Sequence, residues 1–157
     1  MFREMRRKKQ ELSKEECLEV LRQEPRGVLS IMGEDGYPYG MPMNHWYNEK
    51  DGQLYFHGAK AGHKIEALKT CDKVSFCVYD KGYRKDGEWA LNIRSVVVFG
   101  RISQVEDSEK TVEICSNICR KFTDDEAYLK EELSHIPRVL CLELTPDHMT
   151  GKLVNES

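Results

Sequence analysis

Apolar and polar positions change period several times along this chain, and the changes mark its elements. Ser13-Lys14-Glu15-Glu16 has the spacing of a capping box, and Cys17, Leu18, Val20 and Leu21 give the helix behind it one apolar side. Pro25 ends that helix by about Glu24. Gly27–Met32 then reads as a buried strand, and Asp35-Gly36 supplies a hairpin turn. A strand from about Tyr37 to Asn48 follows, Asp51-Gly52 turns again, and Leu54–His57 returns beside it. A helix is expected from about Gly62 to Lys69, and a clear strand from Lys73 to Tyr79. A polar loop, Lys81–Gly87, leads into a long β segment from Trp89 to about Val105, with Gly100 as its expected bulge. Val112, Cys115, Ile118, Cys119 and Phe122 recur at helical spacing within 108–122. A short helix over about Asp124–Leu133 and a last strand over Arg138–Thr145 complete the pattern.

This order predicts a mainly β chain with peripheral helices. Hairpin turns and even strand spacing favour a small barrel over a parallel α/β sheet. No linker or repeat divides residues 1–157, so one domain is expected, preceded by a charged arm over residues 1–12. That arm is too charged to pack alone; it reads as solvated, or as lying across a partner subunit. Pro38 and Pro42 fall inside a predicted strand. Proline cannot donate to a ladder, so the strand must be bulged or open on one side there. An open row of backbone groups can hydrogen-bond a planar heterocycle.

Composition narrows the function. With 24 basic against 27 acidic residues the net charge is −3, which argues against non-specific nucleic-acid binding. No apolar run is long enough to cross a membrane as a helix, and the charged N-terminus carries no apolar signal region, so a cytoplasmic location is expected. The six cysteines form no C-x-x-C pair and no zinc pattern, and no metal site is expected. Cys115 and Cys119 are four apart on a predicted helix; ordinary apolar spacing accounts for them more simply than a redox or metal pair. G-x-G-x-x-G, the P-loop pattern, H-E-x-x-H and G-x-S-x-G are all missing.

The most informative stretch is Leu54–Lys69. A strand ends at His57, small residues Gly58, Ala59, Ala61 and Gly62 follow, and a helix begins at His63-Lys64. A helix start favours an anion, whereas basic side chains there oppose the dipole. A phosphate at His63 and Lys64 would remove that conflict; a solvated helix face is the plainer reading. Arg94, with Ser95, interrupts an apolar β run, which suits either a phosphate or an internal ion pair. Nothing nominates a protein nucleophile, so an enzyme of this kind would rely on a cofactor.

Four segments, Met1–Lys8, Tyr37–Asn44, Tyr55–Lys64 and Ile93–Gly100, occur in an order that resembles the flavin-binding split-barrel proteins related to pyridoxamine 5′-phosphate oxidase, and within them the 5-nitroimidazole-resistance group. The resemblance runs to about Lys152. It implies a six-stranded antiparallel split barrel that binds FMN at a homodimer interface. Met43 and Asn44 would run beside the flavin ring, and His57, Gly58 and Ala59 would line it. His63 and Lys64 would hold the phosphate, with Arg94, Ser95 and Lys152 reaching the cofactor from the far strands. His57 would be the catalytic residue, acting on a small electrophile such as a nitroaromatic compound. A non-enzymatic flavin-binding or redox-sensing protein is the alternative, followed by a haem-binding barrel. Only one lysine stands in Asp147–Lys152, which argues against oxidation of pyridoxamine phosphate itself.

Overall fold

The computed structural model describes residues 1–156. Six antiparallel strands carry the fold: β1 (Arg26–Met32), β2 (Pro38–Asn48), β3 (Gln53–Ala59), β4 (Lys73–Tyr79), β5 (Leu91–Val105) and β6 (Val139–Glu156). They close in the order β1-β2-β3-β6-β5-β4. Four helices surround them: α1 (Lys14–Gln23), α2 (His63–Thr70), α3 (Ser108–Arg120) and α4 (Glu126–Leu133). Among the described residues no helix is long and apolar enough to cross a membrane.

Strand alternation builds the core. In β1, Gly27, Leu29 and Ile31 face inward, while Arg26, Val28 and Met32 face out. Inward residues of the other strands, among them Phe56, Phe76, Val96, Val98, Leu142 and Leu144, meet them in the barrel. The expected capping box is formed, with both Ser13–Glu16 bonds present, and it starts α1 where Cys17, Val20 and Leu21 can plug the barrel end. A second core lies outside the barrel: Tyr55 and Cys141 pack under Ile114, Cys115 and Ile118 of α3. On the outer wall of β1, β4 and β5, Val28 and Tyr79 stay exposed, and Phe99 lies partly under Phe2 of the arm, with ring centroids 5.6 Å apart.

The structure corrects three expectations. The last strand does not stop at Thr145. It continues through Pro146 to Glu156, because β5 offers a ladder partner along its whole length; the register shift falls at Phe99/Gly100, opposite the proline. The bulge expected at Gly100 falls instead on the partner strand, where Asp147 of β6 is the unpaired residue opposite Phe99/Gly100. The arm is not simply solvated. Leu12 donates its N–H to the Gly151 carbonyl, and Phe2 stacks on His148 at 4.7 Å, so residues of the arm pack on the chain's own β6. The third helix ends at Arg120, two residues short of the expected end at Phe122.

Candidate functional site

The barrel is split between β2 and β3. These strands pair only where His45–Asn48 meets Gln53–Phe56. Beyond that, β2 pairs with β1 alone over Pro38–Asn44, and the end of β3 pairs with β6 alone. His45 donates its N–H to the Pro25 carbonyl, and Gly33 donates to Tyr37, which fixes which residues of β2 aim their backbone at β1. By alternation, Pro38, Gly40, Pro42 and Asn44 direct theirs to the open edge. Both prolines therefore sit where no ladder bond is lost, and among the described residues the carbonyls of Pro38, Gly40 and Pro42 and the N–H groups of Gly40 and Asn44 have no ladder partner.

The split is filled from one side by α2. Gly62, its N-cap, has φ of +132°, a region open to glycine, and this lets the chain leave β3 and start the helix at His63. Lys64, one residue into α2, turns back beneath β3. A Cβ on Gly58 would stand 2.9 Å from Lys64 Nζ, so the missing side chain of Gly58 makes room for the ammonium. The closest polar neighbour of that ammonium is the thioether of Met43, 3.7 Å away. Among the described residues it has no carboxylate within ion-pair distance, and partial burial lowers its pKa. A half-buried cation without a counter-ion carries a desolvation cost that nothing among the described residues offsets.

His57 stands at the end of β3, half-buried beside this lysine. Burial lowers its pKa first; Glu132 of α4 opposes the shift and Lys64 adds to it. The imidazole is therefore neutral near pH 7 and has one donor and one acceptor nitrogen. His63 is exposed and meets Tyr39 edge-on at 4.8 Å, so it flanks the open strand rather than entering the barrel. The structure thus brings together Met43, His57, Gly58, Ala59, His63 and Lys64, with the Asn44 backbone on the same edge.

Other expected residues lie elsewhere. Arg94 donates from Nε to Asp80 at 2.9 Å and pairs with Glu19 of α1 at 3.5 Å. Of its two sequence readings, the internal ion pair is the one found: the guanidinium ties β5 to the 80s loop and to α1. Ser95 and Lys152 are cross-strand partners on the outer barrel wall, next to Tyr79. The Asn44 side chain accepts from Arg26 at 3.1 Å, also on that wall. Sequence reasoning missed Tyr39 and Glu132, which flank the two histidines. Tyr39 could have been found from its place between the two prolines of the open strand. Depressions of roughly 240–510 Å³ occur over the chain, at the barrel ends and on the outer wall. None of these five is lined by His57, Gly58, His63 or Lys64.

Comparison with known proteins agrees with this architecture. A family model described as pyridoxamine 5′-phosphate oxidase matches residues 13–153. No curated protein sequence matches the chain. Among solved structures, a candidate 5-nitroimidazole antibiotic resistance protein from Bacteroides thetaiotaomicron aligns at 24% identity with a TM-score of 0.79, over 93% of this chain and 87% of that one. An FAD-binding protein from Mesorhizobium loti aligns at 23% identity with a TM-score of 0.71, over 92% and 96%. An FAD and haem binding protein from Mycobacterium smegmatis aligns at 22% identity with a TM-score of 0.68, over 90% and 71%. At these identities the likeness is one of fold.

Proposed function

The chain belongs to the pyridoxamine 5′-phosphate oxidase family, and on that premise we propose that it binds a flavin, FMN, in the split between β2 and β3. The observation that carries this reading is the half-buried Lys64 ammonium, which lacks an anionic partner beside the cleared space at Gly58. One phosphoryl group suits one such cation, which favours the mononucleotide. The open edge of β2 at Asn44 and Gly40 supplies donors and acceptors for the polar rim of the ring. Solved structures of the same fold include proteins that bind FAD, with or without haem, and this supports a flavin.

A bound flavin would supply two-electron transfer to or from a substrate on its open face. The chain would hold the phosphate with Lys64 and His63 and fix the ring against the β2 backbone. His57, neutral at pH 7, would donate a hydrogen bond to a small electrophile, a nitroaromatic compound among them. A second copy of the chain would give the split a second wall. The exposed Val28 and Tyr79 of the outer face offer apolar surface to a second copy, and a two-fold dimer would bring Ser95 and Lys152 of one chain towards the flavin of the other. Arg94 would serve that wall indirectly, by holding the 80s loop.

The test is an absorption spectrum of the purified protein, chromatography of whatever heat releases, and light scattering on the eluting peak. Flavin bands, released FMN and a mass of two chains are expected. Colourless protein that takes up no added FMN would overturn the cofactor, released FAD would overturn the mononucleotide, and a monomer that retains flavin would overturn the shared site.

A further inference from the structure

The fold brings Cys115 against a cysteine other than Cys119, its neighbour in helical spacing. Cys115 of α3 has its Sγ 3.9 Å from that of Cys141 on β6, 26 residues away. Both belong to the small core outside the barrel, with Tyr55, Ile114 and Ile118. Cys119 lies one turn further on, partly buried. Cys141 is the cross-strand partner of His57 on β3. Cross-strand partners project on the same face of a sheet with Cβ atoms about 5 Å apart. The two sulfurs therefore lie directly beside the candidate site.

We infer that Cys115 and Cys141 are a redox pair, a dithiol that a hydroperoxide converts to a disulfide, and that its state is felt at His57. The pair is placed for this by contact, since a disulfide needs sulfurs that can approach to about 2 Å without unfolding an element. It is also placed by access. Cys115 keeps 7% of its residue surface exposed, whereas Cys141 has none, so Cys115 is the less enclosed of the two. The hydrogen bond between them acts in the same sense: it favours the thiolate at Cys115 and leaves the proton on Cys141.

The chemistry balances as two steps. The Cys115 thiolate attacks the peroxide oxygen, the O–O bond breaks, and the departing alkoxide takes a proton to leave as alcohol, or as water from hydrogen peroxide. The sulfenic acid formed is then attacked by the Cys141 sulfur. The S–O bond breaks, and hydroxide leaves as water with the thiol proton. Two thiols lose two electrons, and the peroxide oxygens gain them. The new bond would tie α3 to β6 beneath His57 and change the packing on that side of the imidazole. The pair needs no flavin, so it stands or falls apart from the cofactor reading.

The test uses the full wild-type chain, folded, with hydrogen peroxide as the probe. Differential alkylation and peptide mapping should show six free thiols falling to four, a Cys115–Cys141 cross-link, and reversal by a dithiol reductant. Because the mapping is done on wild type, it does not depend on a variant that folds. Cys119→Ala should leave the cross-link intact, and Cys115→Ala should abolish it. A first disulfide that uses Cys119 or joins two chains, or a Cys115 and Cys141 that stay reduced while the half-buried Cys71, Cys77 and Cys119 oxidise, would overturn the pair. For the second half, the His57 ring resonance is titrated by NMR in both states. Its midpoint should move on oxidation of wild type; a disulfide that forms while this titration stays unchanged would overturn the link to His57.

Discussion

Acid should destabilise this protein through one core residue, His45. Its side chain is fully buried, edge-on to Phe76 at 5.0 Å, with Nε2 2.8 Å from the Leu21 carbonyl and 3.3 Å from the Lys121 ammonium. Nε2 carries the proton and donates to Leu21, while Nδ1 is buried without a partner. Burial first, and then the Lys121 charge, push the pKa down from 6.5 to about 3. The unfolded chain binds this proton below about pH 6.5, and the folded chain only near pH 3. Stability is therefore lost as the pH falls across that window. Between pH 7 and pH 5 the loss from this group alone is about 2 kcal/mol, and across the whole window roughly 4–5 kcal/mol, which is comparable to the net stability of a small domain. The assay is urea unfolding at pH 7 and pH 5 for wild type and His45→Leu. Leucine fills a similar volume, and the Leu21 carbonyl keeps Lys121 as a donor at 3.3 Å, so the variant should fold. The variant should lose about 2 kcal/mol less than wild type between the two pH values. Equal losses in both proteins would refute the assignment, because every other titrating group is shared.

Three further substitutions separate binding from stability. Lys64→Met should weaken binding of FMN, measured by quenching of flavin fluorescence, by tenfold or more; thermal stability should hold or rise, since a desolvated charge is removed. Gly58→Ala should retain the fold, because the atom it meets is the flexible end of Lys64; it should displace that ammonium and lower FMN affinity in the same assay. Tyr55→Phe removes a hydroxyl that donates to Asp51 at 2.6 Å and lies 3.1 Å from Glu143, with Lys110 over its ring at 4.8 Å. Urea unfolding should show a loss of about 2 kcal/mol, with FMN affinity unchanged.

What the sequence could show divides along physical lines. Local signals were legible. The Ser13–Glu16 box starts a helix through its own backbone, and Asp35-Gly36 and Asp51-Gly52 turn the chain wherever they occur. Pro38 and Pro42 reveal an open edge because a missing N–H is a covalent fact. Partners distant in sequence were not legible. Arg94 is satisfied by Asp80 and by Glu19, which only the closed barrel brings to it. Cys115 meets a cysteine 26 residues away rather than the one a helical turn away. The final strand looks finished at Thr145, because polar residues follow; only the ladder with β5 keeps the chain extended to Glu156.

Three partly buried lysines show why one of them marks the site. Lys110 lies 3.1 Å from Glu113 and 3.6 Å from Asp51, and it rests over Tyr55, so its charge is neutralised within the fold. Lys121 is taken out of water too, with its pKa brought down to about 8, but it donates to the Glu24 carbonyl at 2.9 Å and the Leu21 carbonyl at 3.3 Å. It closes the end of α1 and its task is complete inside the chain. Lys64 is desolvated in the same way, yet it faces only a thioether. Its ammonium can donate three hydrogen bonds, and neither a carboxylate nor a backbone carbonyl of the described residues takes them. Desolvation without compensation is costly, and the cost falls on the one lysine that stands beside a glycine-cleared space, an unpaired strand edge and a neutral histidine. An anion arriving there recovers that free energy. Binding and stability are consequently linked: phosphate or FMN should raise the Lys64 pKa and the melting temperature together, and should leave the Lys121 pKa unmoved.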